Sequence, residues 1–191
     1  METGAIFQIF DRLEHLHRSY LREFSYQVGL NLRQLESLIY LGKCNRYSNT
    51  PAALTEYLGL TKGTVSQTIL SLEKKRLLRK NSDKNDGRIV HLTLTRKAEK
   101  LLKQCSANSP LECSLAGYSA KSAALGSMLL TLLTEVQRAN QSRMFGACHT
   151  CAYFRRNGLG TAHQCGLTKE QLLAHESLKI CREHSDVIHT D

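Results

Sequence analysis

Cys148, Cys151, Cys165 and Cys181 are the residues whose type and spacing most directly suggest chemistry, with two, thirteen and fifteen residues between them. A two-residue gap lets the first pair of thiolates reach one centre. The other two must arrive by loop closure, whose entropy a bound centre would offset. Four thiolates suit tetrahedral zinc and equally suit a 4Fe–4S or 2Fe–2S cluster. Structural zinc often uses two close pairs, and here only one pair is close, with the other two ligands single and far apart; both zinc and a cluster stay open on spacing alone. His149, His163 and His184 are neighbouring alternatives, although a lone histidine is more often a surface residue than a ligand. For a core, the stretch from Cys148 to His184 offers only Tyr153, Phe154, Leu159, Leu167, Leu172, Leu173, Leu178 and Ile180 as large apolar residues. A unit of roughly 50 residues or fewer usually needs a staple. We therefore expect residues 145–191 to form a small cysteine-ligated module. Cys44, Cys105 and Cys113 are scattered and read as small core or loop thiols.

The second chemistry is electrostatic. The formal net charge is +9. From Lys62 to Lys100 there are eleven Lys/Arg against four Asp/Glu. A basic segment of that density suits a polyanion, because each neutralised phosphate releases condensed counterions.

These residues need a frame. Residues 5–28 read as a helix with Ile6, Phe10, Leu13, Tyr20, Phe24 and Val28 along one stripe, and residues 31–42 read as a second. Thr50-Pro51 is a helix cap followed by proline at the first helical position, and Gly59 is a stop. Thr61 caps the next helix, KGTVSQTILSLEKKRLL. Two short helices joined by a tight glycine-containing turn make a helix-turn-helix. In its second helix Val65, Ile69, Leu72 and Arg76 share a face, the three apolar ones pointing to the core. Thr61, Lys62, Thr64, Ser66, Gln67, Ser71 and Lys74 remain for DNA, where hydroxyls, amides and amines meet base edges and phosphates. Next, LLRKN, the turn SDKNDG and RIVHLTL read as a hairpin, with Val90, Leu92 and Leu94 at strand spacing. Its tip carries Lys84 and Arg88, as a DNA-binding wing would. Thr95 caps the helix RKAEKLLKQ, which breaks at Pro110 and Gly117. A last helix, about 119–144, is apolar on a wide face (Ala123, Met128, Leu132, Val136) and requires either a core or a second copy.

This order of elements, carried by TPAALTEYLGLTKGTVSQTILSLEKKRLLRKNSDKNDGRIVHLTLTRKAEKLL, resembles the MarR family of bacterial regulators. Asp83, Asp86 and Arg88 are similar to that family's acidic-and-arginine wing tip. Arg76 departs from it, standing where the family usually has glycine, and so does Lys97 after the wing. The resemblance spans roughly residues 5–144. It implies a homodimer clasped by the first and last helices, a pseudo-palindromic operator in double-stranded DNA, and repression relieved by a ligand or redox signal. Separately, the cysteine spacing is similar to the cluster-binding segment of high-potential iron–sulfur proteins, with Tyr153, Phe154 and Leu167 as secondary matches; that resemblance implies an iron–sulfur cluster, 4Fe–4S first, with zinc as the alternative.

The expected architecture is mainly α with a small β-hairpin wing: a dimeric winged helix-turn-helix over residues 1–144 and the cysteine module over 145–191. No run of 18 apolar residues exists, and the N-terminus is unlike a signal peptide, so no membrane partner and a cytoplasmic location are expected. No nucleophile elbow, phosphate loop or HEXXH motif is present, so the chain does not read as an enzyme. Electron transfer by the tail alone is a weaker reading. A regulator that senses a small molecule between its helices, with structural zinc in the tail, is the main alternative.

Overall fold

A computed structural model describes residues 2–83, 86–117, 122–140, 143–160 and 162–186. The order is α1 (Thr3–Gln27), α2 (Leu32–Lys43), α3 (Pro51–Leu58), α4 (Lys62–Lys74), β1 (Leu78–Ser82), β2 (Val90–Leu94), α5 (Arg96–Ala107), α6 (Pro110–Ala116) and α7 (Ser122–Ala139). The tail adds β3 (Gly146–Ala147), a 3-10 turn (Cys148–Thr150), β4 (Phe154–Leu159), β5 (Ala162–Cys165), β6 (Gln171–Leu172) and β7 (Ile180–Cys181). The fold is a mainly helical winged helix with small antiparallel strands.

Local chemistry sets most boundaries. Asn31 and Gln34 form a reciprocal capping box at the start of α2. Thr50, Thr61 and Thr95 each accept a backbone N–H three residues on, starting α3, α4 and α5. Gly59 ends α3 at φ 61°, the left-handed region, and turns the chain into α4. α4 is shorter than its pattern suggests. It ends at Lys74, and Arg76 leaves the shared face at φ 58°. Leu77 and Leu78 then turn inward to begin the wing. The proline at 110 starts a helix as well as ending one: Ser109 accepts from Glu112 N, and Pro110 occupies the first turn of α6. α7 stops at Ala139 rather than running to 144, and the Gln137 side chain accepts from Phe145 N at 2.8 Å. Residues 119–121, 141 and 142 lie outside the described residues.

The main core joins Leu38, Tyr40 and Leu41 of α2, Leu54 of α3, Val65, Ile69 and Leu72 of α4, and Leu77, Leu78 and Leu92 of the wing. The burial of Val65, Ile69 and Leu72 matches their spacing. A smaller cluster ties Leu21 and Phe24 of α1 to Leu35 and Cys105. The N-terminal half of α1 and most of α7 stay exposed, Phe7 and Met128 at 72% each. No described helix is long and apolar enough to cross a membrane.

Candidate DNA-binding surface and cysteine cavity

The helix-turn-helix leaves one side of α4 open. Lys62, Ser66, Gln67 and Lys74 are exposed, and Leu70 stands among them at 44%. Thr61 is exposed, but its hydroxyl serves as the α4 cap and meets the half-buried Thr64 hydroxyl at 2.9 Å. Ser71 is half-buried and accepts from Gln34 Nε2 at 2.8 Å, so it faces α2. Leu70 was not among the expected contacts. Its position three after Gln67 and four after Ser66 places it on the same stripe, and an apolar side chain there suits a thymine methyl.

The wing pairs Leu78 with Leu94 and Ser82 with Val90. Asp83 and Asp86 shape its turn: Asp86 N donates to Asp83 Oδ1, and Arg88 N and Nε donate to Asp86 Oδ1 at 3.0 and 3.1 Å. The Arg88 side chain is 91% exposed. Lys84 lies outside the described residues. At the base, His91 Nδ1 meets Asn49 Oδ1 at 2.6 Å and His91 Nε2 meets Asp83 Oδ2 at 2.9 Å. Leu92 N donates to Asn49 O at 2.6 Å. The wing is therefore fastened to the loop between α2 and α3.

Cys148, Cys151, Cys165 and Cys181 line a single cavity of about 160 Å³, although they come from three different parts of the tail. His149, His163 and His184 do not line it. His149 Nδ1 meets Ser177 O, His163 stacks edgewise on Phe154, and His184 Nε2 meets Thr150. Among the described residues, no three His, Cys, Asp or Glu side chains converge as a single-ion site requires. Two N–H groups point at the cavity thiols: Asn45 Nδ2 donates to Cys148 Sγ and Ser185 N donates to Cys151 Sγ, both at 3.4 Å. The hydrogen bond between Cys148 and Cys181 raises the former thiol, as burial also does, and lowers the latter, with Asn45, Glu183 N and Ser48 helping against burial. Cys44 lies outside the cavity, and burial pushes its thiol up to about 12. Burial likewise raises Cys105.

Sequence reasoning missed Asn45 and the surface on which the tail docks. The tail touches α7, where Arg138 pairs with Asp186 at 3.1 Å. Its larger contact is with the helix-turn-helix. Asn45 N donates to Ile180 O at 2.9 Å. Arg46 pairs with Glu170 and Glu176 at 3.0 and 2.7 Å, and Tyr47 donates to Glu170. Arg182 grips Glu56 of α3 through two bonds of 2.6 and 2.7 Å. Those bonds, with Arg143 at 3.1 Å, hold the Glu56 carboxyl below its usual range. Phe145 closes the joint against Tyr57 and Tyr40, with ring centroids 5.1 and 6.3 Å apart.

A helix-turn-helix followed directly by a two-stranded wing defines the winged-helix class of DNA-binding folds. Residues 28–89, from the end of α1 into the wing, match the sequence model of the MarR family. Solved structures agree at the level of fold. A MepR variant from a multidrug-resistant S. aureus clinical isolate is similar at 23% identity with a TM-score of 0.61, covering 72% of this chain and 100% of that one. A MarR transcriptional regulator from Methanosarcina mazei is similar at 18% identity with a TM-score of 0.55, covering 72% and 99%. An S. aureus MepR–DNA complex is similar at 21% identity with a TM-score of 0.52, covering 71% and 98%. More than a quarter of this chain has no counterpart in these neighbours. A comparison with curated proteins returned no match.

Proposed function

We propose that this protein is a sequence-specific DNA-binding transcriptional regulator, a repressor, whose four tail cysteines hold an iron–sulfur cluster and make DNA binding depend on redox state or iron. The observation that carries the DNA reading is the open stripe of α4 (Lys62, Ser66, Gln67, Leu70, Lys74) beside a wing that projects Arg88. Gln67 matches the bidentate edge of adenine, and Arg88 suits a phosphate or a narrow minor groove. The similar MepR structure bound to DNA supports the same docking. The apolar residues left exposed on α1 and α7 support a homodimer, and hence a pseudo-palindromic operator.

The chemistry of the cavity fits a polynuclear centre better than zinc. Its four thiols surround a volume far larger than one ion occupies, and two N–H donors face the sulfurs, the kind of bond that tunes such centres. Cys148, Cys151, Cys165 and Cys181 would hold it. A 4Fe–4S centre there would supply reversible one-electron chemistry and a charge that changes with it. The tail has little apolar core of its own: Leu172 is buried, while Tyr153, Leu159, Leu167, Leu173 and Leu178 are exposed.

Iron and sulfide analysis of the full chain purified without oxygen tests this reading. Iron and sulfide in equal amounts with a brown colour are expected, and zinc alone would replace the reading with its alternative. In that alternative a small molecule is sensed between the helices. One observation favours it: a cavity of about 240 Å³ among α1, α2, α5 and α6, where His17 Nδ1 has no hydrogen-bond partner among the described residues.

A further inference from the structure

The loop from Cys44 to Thr50 belongs to the winged helix in sequence, yet Asn45 and Tyr47 form part of the cavity wall. Asn45 is 2% exposed. Its Oδ1 accepts from Ser48 Oγ at 2.7 Å and from Tyr47 N at 3.1 Å, which fixes the amide and aims Nδ2 at Cys148. Ser48 is fully buried, and its hydroxyl also accepts from Arg182 N, one residue beyond Cys181, at 2.8 Å. The next residue, Asn49, holds both strand β2, through Leu92 N, and the wing histidine His91. Thr50 then caps α3. Six consecutive residues, 45–50, therefore touch two cavity cysteines or their neighbours, the wing base and the start of the helix-turn-helix.

We propose that this loop is the coupling element of the regulator: filling the cysteine cavity orders the loop, and the loop in turn sets the wing and α3 for DNA. The proposal rests on the reading that the four cysteines hold a cluster. The direction follows from the packing. With so little apolar core, the tail loosens when its thiols have no common centre. Asn45, Arg46 and Ser48 then lose their partners in the tail, and the wing loses the rigid backing behind Asn49. A preorganised wing gives up less conformational entropy on binding, so the loaded protein binds DNA more tightly than the metal-free one. Linkage requires the reverse as well: DNA must raise the protein's affinity for the centre by the same factor.

The test uses the full chain, loaded anaerobically with iron and sulfide or stripped by a chelator, and a duplex enriched from a random-sequence pool by the loaded protein. Loaded wild type is expected to bind about fivefold or more tightly than stripped, within the usual range of coupling between sites. Loading is also expected to slow hydrogen exchange at the Leu92 amide. Asn49→Ala cuts the loop from His91 outside the cavity. It should take up iron and sulfide as wild type does, with the same visible spectrum, while its loaded-to-stripped ratio falls below about twofold. Asn45→Asp keeps the acceptor for Ser48 and Tyr47 but removes the donor to Cys148, and should also shrink the ratio. If Asn49→Ala and Asn45→Asp both load and both keep the wild-type ratio, the coupling role of the loop is wrong and the cluster reading stands. If wild type takes up no iron and sulfide, the cluster reading falls and takes the coupling with it.

Discussion

Replacing Arg76 by glycine should stabilise the protein, and the size of the gain follows from the backbone. Arg76 sits at φ 58° just past α4. Its N–H donates to Glu73 O at 2.8 Å, and Leu77 N donates to Leu72 O at 3.0 Å. That pair of bonds is the Schellman closure, in which the residue after the helix is left-handed and usually glycine. A left-handed conformation costs a residue with a Cβ about 1–2 kcal/mol. Glycine avoids that cost but loses about 0.5–1 kcal/mol more chain entropy on folding. The net gain is about 0.5–1 kcal/mol. The Arg76 carbonyl keeps its bond from Thr95 Oγ1 in the variant, because that contact is to backbone. For a chain of 191 residues, each kcal/mol moves Tm by about 2–4 °C. Calorimetry of Arg76→Gly should therefore show a rise of about 1–4 °C. Arg76→Ala, which retains the strained Cβ, should show no such rise. A lower Tm for the glycine variant, or an equal rise for alanine, would refute the reasoning.

Three further outcomes are expected. Leu70→Ala should relax discrimination at one A·T position by about 1 kcal/mol, near the low end for direct base readout, as read by competition with single-base operator variants; unchanged selectivity would remove Leu70 from the interface. Asn45→Asp should lower the reduction potential of the tail centre in electrochemical titration, since it replaces an N–H donor to Cys148 with a carboxylate; an unchanged potential would mean that the 3.4 Å contact has no electronic effect. A Phe7→Asp, Met128→Asp double variant should sediment as a monomer, because both residues lie on the exposed apolar faces of α1 and α7; a retained dimer would place the interface elsewhere.

The parts of this fold that could be read in advance are those written in neighbouring residues. Thr50-Pro51, Gly59 and Thr61 mark helix ends through caps and a left-handed turn, so the helix-turn-helix is legible within a dozen residues. Alternation at Val90, Leu92 and Leu94 gives the strand in the same way. Ser109-Pro110 carries an equally local signal for the start of α6, because a proline that breaks one helix also fits the first turn of the next. Spacing puts Leu70 on the stripe of Ser66, Gln67 and Lys74, but an apolar residue in an amphipathic helix is normally core, and its exposure is visible only in the structure. The cysteines were legible as a set from their type. Asn45 was not, since its partner Cys148 lies 103 residues away and no local pattern marks a contact of that range. The docking of Arg182 on Glu56 was hidden for the same reason.

The most direct test of the account is the affinity of a Gln67→Ala, Arg88→Ala double variant for the duplex that wild type selects, measured by fluorescence anisotropy across salt concentrations. Loss of one base-reading amide and one phosphate contact should weaken binding about tenfold or more and reduce the salt slope by about one charge. Wild-type affinity with an unchanged salt slope would mean that α4 and the wing do not face DNA.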